Sequence, residues 1–209
     1  MELRAGVIGC GLMGDIHAQC LQNIPGMKMK AFCDISLQNA KSLCEKYNGD
    51  YYTDDYIKLL KDDNIDAVYV CTYHDTHTEL ALKCCEYKKN LMMEKPLALK
   101  IDEIYKIGNE VDKSGILFML GLKARFYPVV KKAKEFIQQP KLTIGQLLDE
   151  KWADSFWAND PNMGGGNVMS QGCRMMDLMY YLNNSEPEMI FARGGNFNHP
   201  KLDIIDNIT

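Results

Sequence analysis

The sequence predicts an α/β fold: a doubly wound parallel sheet followed by a partial α+β domain. Three observations carry this. Short apolar runs alternate with amphipathic segments up to about residue 120, the rhythm of a parallel sheet covered on both faces. The first apolar run leads directly into a G-x-G-x-x-G loop, Gly9–Gly14. Past Gly121 the alternation gives way to another pattern.

In chain order, strands are expected over Leu3–Ile8, Met27–Cys33, Tyr51–Tyr52, Ala67–Cys71, Leu91–Met93 and Ile116–Leu120. Helices are expected over Leu12–Asn23, Leu37–Tyr47, Asp55–Lys61, His77–Tyr87 and Ile101–Lys113. In the second part, Val129–Ile137 reads as a helix ended by Pro140. Ile144–Trp152 reads as a longer strand, Val168–Leu182 as a helix, and Glu188–Gly194 and Ile204–Ile208 as strands. The expected division is residues 1–121 and 122–209. The second part reads as unfinished, with few strands to cover its helix, so a truncated product or a fragment is expected.

A net charge of −4 gives no electrostatic reason to expect nucleic acid or an anionic membrane surface. No stretch approaches the ~20 apolar residues of a membrane span, and no charged-then-apolar signal segment precedes the glycine loop. The eight cysteines are spread through strand-like, helix-like and loop segments, with no C-x-x-C spacing. They are expected to be reduced, mostly buried thiols of a cytoplasmic protein and to bind no metal.

The glycine loop carries the first functional expectation. Gly9 permits a tight turn, Gly11 lets backbone approach a pyrophosphate, and Gly14 allows close helix–strand packing. The helix start at Leu12 and Met13 then offers free N–H groups and a partial positive charge to phosphates. Asp34 closes the second strand-like run 20 residues after Gly14, where a carboxylate accepts hydrogen bonds from ribose hydroxyls and repels a 2′-phosphate. Ile35 and Ser36 add no cation. A Rossmann-like unit binding NAD, in preference to NADP, is expected.

Ligands of such sheets bind beyond the carboxyl ends of the strands. Gly9–Gly14, Asp34, Cys71–His74, Glu94–Lys95–Pro96 and Gly121–Arg125 are expected to rim that crevice. Lys95 directly follows a strand, and Pro96 restricts its backbone. A lysine beside a nicotinamide can move a proton at a reacting oxygen if burial and neighbours bring its pKa from ~10.4 toward ~7–8. The other reading of the same residues is a surface lysine paired with Glu94.

Gly9–Gly14, Asp34, Thr72 with His77, Glu94–Lys95–Pro96, Arg125–Phe126 and Gly164–Gly166 before a helix occur in that order. Together they resemble the glucose–fructose oxidoreductase/inositol dehydrogenase (Gfo/Idh/MocA) family of NAD(P)-dependent enzymes. The resemblance implies hydride transfer between nicotinamide and a ring hydroxyl of a sugar, cyclitol or related polyol, with Lys95 in proton transfer. It implies Thr72, His77, Glu94, Lys95 and Arg125 as cofactor contacts beside the glycine loop. It implies that residues 122–209 are a substrate and oligomerisation domain, so a homo-oligomer is expected.

The family pattern G-G-G-x-x-x-D-x-G-x-H-x-x-D is met by Gly164–Asp177 with two departures. Ser170 stands for the acid, and Arg174 for the histidine that faces substrate; Asp177 keeps the pattern. Ser170, Arg174 and Asp177 share a helix face by spacing. Arginine stays protonated, so Arg174 either binds a substrate oxyanion or pairs with Asp177 three residues on. Two alternatives to turnover of a polyol remain: an NAD-binding protein without turnover, and an NAD-dependent glycosidase.

Overall fold

The computed structural model describes residues 2–209, which fold as two compact units divided after Gly121. The first unit alternates strand and helix throughout: β1 (Leu3–Ile8), α1 (Leu12–Gln22), β2 (Met27–Cys33), α2 (Leu37–Lys46), β3 (Tyr51–Thr53) and α3 (Tyr56–Leu60). The series continues with β4 (Ala67–Val70), α4 (His77–Glu86), β5 (Asn90–Met93), α5 (Ile101–Ser114) and β6 (Phe118–Leu120). All six strands are parallel, in the order β3-β2-β1-β4-β5-β6.

Successive strand residues feed opposite faces of the sheet. Val7 and Phe32 pack with Ala18, Leu21, Ala40 and Leu43 of α1 and α2. Ile8, Cys33, Val68 and Val70 pack on the other side with Leu59, Leu80, Cys84 and Ile107 of α3, α4 and α5. Local chemistry sets the helix ends. The Ser36 hydroxyl accepts from the Asn39 amide at the start of α2, and the Asp55 carboxylate accepts from the Ile57 amide at the start of α3. Gly115, at φ +70°, ends α5 in the left-handed conformation.

The chain order reverses between β1 and β4. From β1 it winds outward through β2 to β3; from β4 it winds the other way through β5 to β6. That switch point is where such sheets open a crevice at their carboxyl ends.

The second unit contains α6 (Pro128–Phe136), with Pro128 in its first turn, where the missing N–H costs nothing. Val168–Gly172 winds as a π-helix and continues into α7 (Cys173–Asn183). Two-residue strands β7 (Gly194–Gly195) and β8 (Asn207–Ile208) pair antiparallel. The expected strand over 144–152 is not formed, and those over 188–194 and 204–208 shrink to β7 and β8. An extended segment becomes a strand only where another backbone satisfies its N–H and C=O groups. Among the described residues no strand pairs with 144–152.

None of the eight cysteines is in a disulfide, and five of them are buried. Among the described residues no helix is long and apolar enough to cross a membrane.

Candidate active site

The glycine loop is held by close approaches that no side chain could share. Gly9 has φ +94°, and a Cβ there would lie 2.6 Å from the carbonyl of Cys71, where β1 and β4 end together. A Cβ on Gly14 would lie 2.1 Å from the Gly9 carbonyl oxygen, so α1 sits against its own entry loop. Above Gly11 there is open space, with no atom within 4 Å of an added Cβ. Gly11 leaves α1 without a side-chain cap, so the first-turn amides at Leu12 and Met13 stay available. Open room, uncapped amides and the positive end of a helix dipole fit the pyrophosphate of a dinucleotide.

Asp34 stands at the end of β2. One carboxylate oxygen accepts from the Cys10 amide at 2.7 Å, the other from the Ser36 amide at 2.8 Å. A carboxylate offers about four lone-pair sites, so two remain for ribose hydroxyls. Ile35 beside it is almost fully exposed, and the Ser36 hydroxyl is used as a cap. Beneath the loop, burial and the Asp34 charge push the Cys10 thiol up, and burial pushes Cys33 up to about 12. Both stay protonated and unreactive at neutral pH.

β5 ends in Glu94–Lys95–Pro96, and the Lys95–Pro96 peptide is cis. Glu94 and Lys95 are only 4% and 7% exposed, so Lys95 is not the surface lysine of the simpler reading. The Lys95 amide donates to Glu94 Oε2 at 3.3 Å. The Thr72 hydroxyl, after β4, accepts from the Thr76 hydroxyl at 2.7 Å.

Two histidines grip this turn. His77 Nδ1 lies 2.7 Å from the Pro96 carbonyl oxygen, and Nε2 lies 3.3 Å from that of Thr72. Burial lowers the His77 pKa, with those carbonyls pulling the other way. Neutral imidazole carries one N–H, and the shorter bond puts it on Nδ1. His77, expected as a cofactor contact, has no exposed surface. Its side chain stands between two loops from inside, its Nδ1–H donating to the Pro96 carbonyl and its Nε2 edge lying beside the Thr72 carbonyl. Glu94, also expected as a cofactor contact, is almost fully buried.

His17 was not anticipated. Its Nε2 lies 2.8 Å from Glu94 Oε1, and its ring packs on Tyr69 of β4. The available signal was spacing. His17 lies three residues after Gly14, on the face of α1 that buries Gly14, Ala18 and Leu21.

In the second unit, Arg125 pairs with Asp177 through two hydrogen bonds, from Nε at 3.1 Å and from Nη2. The expected Arg174–Asp177 pair is therefore replaced. The Asp177 side chain is only 6% exposed, and a planar fork approaching across the chain satisfies both its oxygens, which a neighbour on the same helix does not. Arg125, expected on the cofactor, gives two of its five N–H donors to Asp177. Arg174 is half-buried, and its Nε finds no hydrogen-bond partner among the described residues. Ser170 lies buried in the π-helical turn.

The sequence pattern of the oxidoreductase family with an NAD-binding Rossmann fold, Gfo/Idh/MocA, matches residues 3–122, more than half of the chain. The chain belongs to this family. Among curated relatives, the uncharacterized oxidoreductase YrbE of Bacillus subtilis (strain 168) is 30% identical over 99% of this chain and 61% of its own length. The myo-inositol 2-dehydrogenase of Thermotoga maritima is 31% identical over 92% of this chain and 58% of its own. The chain thus spans about three fifths of the length of these relatives. Among solved structures, a probable dehydrogenase from Thermotoga maritima superposes with TM-score 0.85 at 26% identity, over 99% of this chain and 63% of that one. Levoglucosan dehydrogenase, solved with NADH and levoglucosan, has the same fold, with TM-score 0.84 at 22% identity over 100% of this chain and 62% of its own.

Proposed function

We propose that this chain is an NAD-dependent oxidoreductase that transfers hydride between nicotinamide and a ring hydroxyl of a sugar, cyclitol or related polyol. The observation that carries the reading is Lys95. It is an almost buried lysine at the carboxyl end of β5, two strands and so about 10 Å from the glycine-loop strand. The names of relatives support the substrate class; myo-inositol and scyllo-inositol dehydrogenases are among them.

The cofactor, when bound, supplies the group that accepts and returns hydride. Gly9, Gly11 and Gly14 with the start of α1 seat its pyrophosphate, and Asp34 takes the ribose hydroxyls of NAD while repelling the extra phosphate of NADP. Lys95, in its neutral form, removes the proton from the hydroxyl under oxidation and returns it in the reverse direction. Arg174 is proposed to face the substrate. The fixed Arg125–Asp177 pair supports the helix that carries it. Copies of the chain are proposed to associate, which light scattering on a sizing column checks.

The test follows NADH formation at 340 nm against a panel of polyols, with NAD and NADP binding measured by calorimetry. Lys95→Met should lower kcat/KM by about 10²- to 10⁴-fold while NADH affinity stays within a few fold. Equal turnover by that variant refutes the role. A second reading, nucleotide binding without turnover, is favoured by Arg174 at the histidine position, since arginine exchanges no proton. It predicts NADH binding with no oxidation of any polyol.

A further inference from the structure

We propose that His17 is a positioning residue that links the dinucleotide seat to Lys95; the inference rests on the reading above, in which Lys95 moves the proton. The turn carrying Lys95 is held at both ends. At Pro96, the carbonyl oxygen lies 2.7 Å from His77 Nδ1 of α4. At Glu94, one carboxylate oxygen lies 2.8 Å from His17 Nε2, and the other accepts the Lys95 amide. A carboxylate only accepts, so the shared proton sits on Nε2 of His17.

The His17 side chain is 14% exposed and that of Glu94 6%, so water competes little for this bond and it is stronger than a surface pair. Ring contact with Tyr69, centroids 5.9 Å apart, restrains the imidazole on a second side.

What makes His17 more than a local brace is the element that carries it. The uncapped start of α1 is the phosphate seat. His17 lies on the second turn of the same helix, on the face that buries Gly14, Ala18 and Leu21 and that leaves no room for a Cβ at Gly14 against Gly9. A rigid helical turn therefore joins the amides that fix one part of the cofactor to the bond that fixes the lysine turn. His77 anchors the same turn from α4, a different helix from the one that starts at the glycine loop. Loss of His17 should loosen the lysine while leaving the phosphate seat whole.

The test uses the full chain with His17→Ala and His17→Gln, the glutamine returning an N–H donor at similar reach. Three quantities are read: NADH affinity, kcat on the best polyol, and the titration of Lys95 by NMR after ¹³C-methylation of lysines, its signal assigned by its absence in Lys95→Arg. The expected result for alanine is NADH affinity within threefold, kcat down by tenfold or more with KM little changed, and a moved Lys95 titration. Glutamine should recover most of both effects. An unmoved Lys95 titration in the alanine variant overturns the proposal, as does parallel loss of NADH affinity and melting temperature that glutamine does not restore. If the unsubstituted chain binds NADH but oxidises nothing, the reading of Lys95 as a proton carrier fails; the NMR arm still decides whether His17 positions it.

Discussion

Alanine at Gly14 and alanine at Gly11 add the same methyl group to one loop and should damage the protein in different ways. At Gly14 the new carbon would stand 2.1 Å from the Gly9 carbonyl oxygen and 3.4 Å from Val7 Cγ1. Carbon–oxygen contacts relax at about 3.3 Å or more, so helix and loop must separate by about 1 Å. Overpacking of this kind costs about 1–3 kcal/mol or more, offset by the ~0.5–1 kcal/mol that alanine contributes over glycine inside a helix. A net loss of about 2 kcal/mol lowers the melting temperature by about 4–8 °C in a chain of this size.

At Gly11 the added carbon meets nothing within 4 Å, and φ is −81°, so an L-residue is unstrained. Stability should fall by less than about 1 kcal/mol, the difference between glycine and alanine as helix caps. The methyl instead fills the room left for the pyrophosphate, and NADH affinity should drop about tenfold or more, the equivalent of ~1.4 kcal/mol. Thermal denaturation followed by circular dichroism and NADH fluorescence titration read the two effects. Gly11→Ala binding NADH as the parent does, or Gly14→Ala melting with the parent, refutes the assignment of Gly11 to the seat and Gly14 to close packing.

Three further outcomes follow from named contacts. Asp34→Ser should lower the preference for NAD over NADP by tenfold or more, because the repelling carboxylate is gone; paired dissociation constants check it. Burial depresses the pKa of His77, so in the window below ~6.5 the unfolded chain binds a proton that the folded chain refuses. Stability should then fall as pH drops, by up to ~1.4 kcal/mol per pH unit; urea denaturation from pH 7.5 to 5 measures this slope, and His77→Gln should remove it. Arg125→Met strands the buried Asp177 carboxylate and should cost about 3 kcal/mol, the low end for a buried pair because Arg125 is partly exposed, with Asp177→Asn in the same chain recovering most of it in a double-mutant cycle.

The alternating part of the chain was legible because each segment names its own partner surface. A fully apolar run such as Ala67–Cys71 fits only a strand covered on both faces, and the amphipathic segments between runs supply the cover. The glycine loop was legible for a similar reason. Its residues act through local backbone geometry, so spacing along the chain is spacing in the site.

The second unit was less readable because its elements depend on partners distant in sequence. Ile144–Trp152 has the composition of a strand, but a ladder needs a second backbone, and among the described residues no strand pairs with it. Asp177 could be matched by spacing to Arg174 on its own helix; tertiary folding gave it to Arg125, 52 residues away. His77 shows the same limit. The resemblance implies a cofactor contact there, and only the fold shows its two ring nitrogens lying beside backbone carbonyls.

The amino-acid order alone determined the parallel sheet, the glycine loop after β1, the acid after β2 and the lysine after β5. Each depends on periodicity or on contacts between near neighbours. Only the tertiary structure decided which side chains hold that lysine's turn and which charge faces Asp177. Those pairings span 77 residues from His17 to Glu94 and 52 from Arg125 to Asp177. Many charged partners are available at such separations, and the packed core selects one.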